Sequence, residues 1–297
     1  MSLKSAFEQK SKKTAPDALS EALTTLGKSA AGRESLGYLD KLGYSVGYCP
    51  ELAEICGPGA MGVCMSDRKM IAISPNAKAE DLPSIIVHEA QHAVQFTFFP
   101  EGLQVENTQI GDMFKFRRAM EADACAHQAA YAYETGTKMP LGYDGILTAY
   151  RAAMEKGDKK SAMAAAFKEW YKNLDKQDFY DSYYADATCA VAKDLAKKGE
   201  KGFFTHKKSD KEWASMFLFE GKPYIEPEFL SSDQAFCLKN KNKTKLMKAM
   251  QTYSEKTGTP LDASVMGMFD YSAAKKKSEK TLSAPARKKL ADRREGR

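Results

Sequence analysis

The stretch best equipped for chemistry is "SIIVHEAQHAVQF", residues 84–96, which holds two of the chain's four histidines. His88 and His92 stand four residues apart, so on a helix they lie one turn apart on one face. There both imidazoles reach a single tetrahedral Zn²⁺ at about 2.0–2.1 Å. Glu89 is turned about 100° from His88, which sets its carboxylate beside such a metal rather than on it. A zinc with three protein ligands keeps its fourth position for water and lowers that water's pKa to about 7. A carboxylate placed at Glu89 takes the proton and passes it to a leaving amine. With so few histidines, chance assembly of HExxH is a matter of roughly a few in a thousand, and the surrounding apolar helical pattern lowers that further.

A catalytic zinc needs a third ligand, and "EADACAH" offers Glu121, Asp123, Cys125 and His127. Glu121 lies 29 residues after His92, room for one loop and the start of an antiparallel helix. A strand, HEAQH on a helix and "EADACA" on a following helix together resemble the gluzincin metallopeptidases, in particular the ImmA/IrrE-type group. The resemblance covers about residues 62–136, with HExxH its most specific part. It implies His88, His92 and Glu121 as ligands of one Zn²⁺ per chain, and Glu89 as general base. His127 is the rival third ligand, and Asp123 a residue that orients a histidine N–H from behind. Imidazole and carboxylate donors suit Zn²⁺ best, though Fe, Co, Ni and Mn accept the same set. The metzincin pattern is absent, because "HAVQFTFFPEG" supplies no further histidine.

The elements that must position these residues follow from periodicity. Residues 1–43 predict an N-terminal helical segment of one or two helices, with Gly43 as C-cap. "YSVGYC" and "GVCMSDRKMIAISP" predict short strands between Tyr44 and Pro75, the second broken by a turn at "SDRK". From Ser84 the pattern becomes helical, with Pro83 suited to a first turn, and a second helix is expected over Phe114–Glu134. The expected fold class is α+β, mostly α-helical: a small antiparallel sheet beside the HExxH helix, then a helical C-terminal half. The segments implied are an N-terminal region to 43, a zincin-like core at 44–136, a helical region at 137–270 and a basic tail at 271–297. The strand at Met70–Ser74 is a candidate edge for pairing with an extended peptide substrate. The aromatic run "EWYKNLDKQDFYDSYYADA" is expected in the core.

Composition narrows the class. The 43% hydrophobic and 28% charged content are those of a globular protein. The polar start "MSLKSAFEQKSKK" has no signal-like apolar segment, and no window approaches the ~18 apolar residues of a membrane span, so a cytoplasmic, non-membrane protein is expected. The six cysteines include no CxxC pair, and reduced thiols are expected in place of a disulfide framework. Of the net charge of +6, the tail 275–297 carries +7, leaving the body at −1. No nucleic-acid partner is therefore expected beyond weak contact through that tail. A zinc-dependent peptidase acting on a peptide or protein substrate is the leading reading. The alternative is a metal-binding regulatory or interaction protein on a zincin scaffold, without efficient turnover.

Overall fold

The computed structural model describes residues 16–57, 59–98, 107–140 and 142–270. The basic tail lies outside the described residues. Two helices, α1 (Pro16–Leu26) and α2 (Ala30–Leu42), open the fold. The Ser29 side chain caps α2 by accepting from the Gly32 N–H, and Gly43 closes it in the left-handed region at φ 70°, where a side chain would be strained. Strands β1 (Ser45–Tyr48), β2 (Gly62–Met65) and β3 (Met70–Ile73) follow, with the short helix α3 (Leu52–Cys56) between the first two. The expected turn at "SDRK" is a single 3₁₀ turn, Ser66–Arg68, closed by Lys69 at φ 49°.

The sheet order is β1-β3-β2, with β2 antiparallel to β3 and β1 parallel to it. The sheet is therefore mixed, not wholly antiparallel. β3 is also central, so both its edges are paired and Met70–Ser74 is not the free edge expected of it. Among the described residues β2 pairs with β3 alone, and it lies against the helix that carries HExxH.

Helix α4 (Leu82–Phe98) carries the HExxH stretch. Leu82, Ile86, Val87, Ala90 and Ala93 are buried against Leu26, Leu39, Ile71 and Ile73. Each fully buried branched side chain contributes about 1.5–3 kcal/mol, which fixes the rotation of α4 and hence the direction of its polar residues. Helix α5 (Ile110–Thr135) is buried on nearly every face, by polar as well as apolar side chains. After it come α6 (Asp144–Met154), α7 (Lys159–Trp170), α8 (Leu174–Lys198) and α9 (Asp210–Ala214). The hairpin β4 (Leu218–Phe219) and β5 (Lys222–Pro223), the short α10 (Pro227–Leu230) and α11 (Asn240–Thr257) complete the described elements.

The chain divides into two compact units that interleave along the sequence. Among the described residues, unit 1 comprises 16–57, 59–98, 116–140, 142–172 and 210–227; unit 2 comprises 107–115, 173–209 and 228–270. Unit 1 holds the sheet, α4 and the greater part of α5. In unit 2, α8 and α11 pack through Tyr184, Leu195, Leu246, Met250 and Tyr253. The aromatic run divides: Trp170, Tyr171 and Tyr184 are buried, whereas Phe179 is 68% and Tyr183 58% exposed. Among the described residues no helix is long and apolar enough to cross a membrane.

Candidate metal centre

Helices α4 and α5 face each other in antiparallel register, bridged by polar side chains: Gln128 donates to the Ser84 carbonyl, Gln91 to Asp123, and Gln95 to the Met120 carbonyl. In the middle of that row stand His88, His92 and Glu121, whose potential ligand atoms all lie within 4.8 Å of one another. The two histidine Nε2 atoms are 3.2 Å apart. Glu121 Oε2 is 3.6 Å from His88 Nε2, and Oε1 is 3.8 Å from His92 Nε2. Those His–carboxylate separations exceed hydrogen-bonding distance, so neither histidine bonds directly to the Glu121 carboxylate through these atoms. Two imidazole nitrogens and one carboxylate fit a divalent metal of zinc type. Among the described residues this is the one such group of three.

Glu89 is buried on the neighbouring face of α4, against the outer strand of the sheet. A Cβ placed on Gly62 would meet Ile85 Cγ2 at 2.6 Å and Glu89 Cγ at 3.0 Å, so the glycine is what admits the carboxyl there. Burial pushes the Glu89 carboxyl up to about 7; the His92 ring pulls it down, Glu121 raises it, and a bond from the Cys64 backbone N–H lowers it. No main-chain donor at this place was legible in the sequence.

Behind the three converging groups lies a second layer. His92 Nδ1 is 2.7 Å from Gln95 Oε1. Gln95 Nε2 donates to Asp123 Oδ2 at 2.7 Å and to the Met120 carbonyl at 3.1 Å. Gln91 Nε2 donates to Asp123 Oδ2 at 2.6 Å, and the Tyr224 hydroxyl to Oδ1 at 2.5 Å. Asp123 is thus fully engaged. His127 Nε2 sits 3.7 Å from Asp123 Oδ1 and outside the group of three. Cys125 Sγ lies 3.9 Å from His88 Nδ1, behind that ring. Of these, Gln91, Gln95 and Tyr224 went unnoticed in the sequence. Gln95 had a signal, as a polar residue one turn after His92; Tyr224, 101 residues from Asp123, had none.

All six cysteines are free, with Cys49, Cys64, Cys125 and Cys237 buried. No curated protein and no solved structure matches the chain. Residues 4–201, two thirds of the sequence, match a family described as "Putative metallopeptidase family (DUF6782)", and to that family this chain belongs.

Proposed function

We propose that the chain is a zinc-dependent peptidase in which His88, His92 and Glu121 hold the metal and Glu89 is the general base for attack of water on a peptide carbonyl. The observation that carries this reading is the convergence of three donors within 4.8 Å, with a buried carboxyl one residue from a ligand. The family, and the likeness of HEAQH and EADACA to gluzincins of the ImmA/IrrE type, support it. Bound at this set, a divalent metal supplies Lewis acidity that polarises a carbonyl and acidifies water. Glu89 accepts the proton on a carboxylate steadied by the Cys64 N–H, and then returns it to the leaving amine. Peptide substrate adds to the outer edge of β2, where the missing side chain of Gly62 leaves room for Glu89 and where Met61, just before the strand, is exposed. Asp123 acts from behind the ligands, and His127 is held beside it.

Zinc-loaded wild type and Glu89→Gln, incubated with a quenched-fluorescent peptide library, test the proposal. Cleavage by the wild type should fall about 10²–10⁴-fold in the variant while metal content stays equal. A zinc-loaded wild type that cleaves no member of the library would replace the peptidase with a metal-binding protein lacking turnover.

A further inference from the structure

The two histidines at the centre are backed by different chemistry. Behind His88 is the sulfur of Cys125, at 3.9 Å; behind His92 is an amide oxygen at 2.7 Å, itself held by a chain of buried groups. That chain has a direction, which begins at Asp123. A carboxylate only accepts hydrogen bonds, so each of its three close neighbours must present a donor: the Tyr224 hydroxyl, the Gln91 amide nitrogen and the Gln95 amide nitrogen. The second neighbour of the Gln95 nitrogen is the Met120 carbonyl, also an acceptor alone. With both on its nitrogen side, the Gln95 amide cannot turn over, and its oxygen must face His92. His92 Nδ1 must then carry the proton, and Nε2 is left with its lone pair directed at His88 and Glu121.

Asp123 and Gln95 are no more than 1% exposed and Tyr224 is 3% exposed, so water does not compete for these bonds. Burial beside Asp123 also holds the Tyr224 hydroxyl far above its ordinary pKa range, which keeps it a donor. Phe167 packs edge-to-face on the Tyr224 ring at 5.9 Å and sets its direction.

We infer that Tyr224, Asp123 and Gln95 form a positioning relay that fixes His92 as the Nδ1–H tautomer and so sets the metal affinity of the centre. The inference rests on the reading of His88, His92 and Glu121 as metal ligands. The relay touches neither metal nor substrate; it acts through His92. Asp123→Leu keeps the forked shape of the side chain but removes both acceptor oxygens, so only the Met120 carbonyl remains on the nitrogen side of Gln95; the amide can then reverse and His92 can carry its proton on Nε2 instead. Tyr224→Phe removes one donor and leaves the ring in place, and Gln95→Met removes the amide.

The test is zinc affinity by chelator competition on the full chain, for wild type, Asp123→Leu, Gln95→Met, Tyr224→Phe and His88→Ala. It is joined to imidazole ¹⁵N shifts of the metal-free wild type and Asp123→Leu. Asp123→Leu and Gln95→Met should bind zinc about 10–100-fold more weakly, and Tyr224→Phe several-fold more weakly. The wild-type His92 signal should be that of Nδ1–H, with an Nε2–H population appearing in Asp123→Leu. Tyr224→Phe and Gln95→Met keep the test decisive if the leucine variant does not fold. Unchanged zinc affinity in folded relay variants, with binding lost in His88→Ala, would overturn the relay alone, as would an Nε2–H tautomer in the wild type. Unchanged affinity in His88→Ala would overturn the metal centre itself and the relay with it.

Discussion

Between α4 and α5 the side chains that meet are His88 and His92 with Glu121, Gln91 and Gln95 with Asp123, and Gln128 with the Ser84 carbonyl. Between α8 and α11 they are Tyr184, Leu195, Leu246, Met250 and Tyr253. Charges of that second pair meet at the rim, where Lys239 and Lys241 reach Asp178, and Lys245 reaches Asp186, while Asp181 and Lys243 are buried. Both pairs bury polar groups that cost free energy when desolvated, but only the α4–α5 row brings two imidazoles and a carboxylate within 4.8 Å of one another. Polar groups stay inside a helix pair when they find partners, as Gln91, Gln95 and Asp123 do between α4 and α5. The contrast separates a row where potential metal-binding donors converge from a pair joined chiefly by apolar packing.

Substitutions on the two sides should therefore fail in different ways. The largest effect belongs to Glu89→Gln, described above: turnover collapses while metal and fold persist, as seen by zinc content and circular dichroism. Leu246→Ala in α11 should do the reverse, costing about 2–5 kcal/mol of stability in a denaturant titration while leaving zinc affinity unchanged. Loss of zinc binding in a folded Leu246→Ala protein would break the contrast.

Gly62→Ala tests how closely the sheet fits the active helix. Its methyl would press on Ile85 and on Glu89 from 2.6 and 3.0 Å, so the carboxyl must shift. Turnover should fall about tenfold or more with zinc content intact, since small misplacements of a reacting group are costly. Full activity in Gly62→Ala would show that Glu89 is not held by β2.

The same burial makes a pH prediction for the metal-free protein. Glu89 is raised from about 4.5 to about 7, so between those values the folded state keeps a proton that the unfolded chain has released. Stability therefore falls as pH rises through that window, and Glu89→Gln should flatten the slope. Parallel melting curves of the two metal-free proteins from pH 4 to 8 read it directly. The smallest effect is at the N-cap of α2, where Ser29→Ala should cost about 1 kcal/mol and leave zinc affinity alone.

What the sequence disclosed was whatever repeats locally. The HExxH spacing, the Gly43 cap, the strand-turn-strand around "SDRK" and the two-helix start all follow from contacts within a few residues. Helix α5 was legible by its pattern and by Glu121, although burial on nearly all sides deprives it of a polar face. The parallel pairing of β1 with β3 was not legible, because it joins Val46 to Ile71 through a connection with no sequence mark. Nor was the exposure of Phe179 and Tyr183, which share one aromatic run with the buried Tyr184. Tyr224 follows a two-residue strand and reaches Asp123 only through the tertiary fold.

The most direct test of the centre is zinc per chain, by mass spectrometry, in wild type, His88→Ala and Glu121→Ala. The arrangement of the three donors predicts about one zinc in the wild type and little in either variant. Zinc fully retained in Glu121→Ala, or none in the wild type after zinc is supplied, would contradict it.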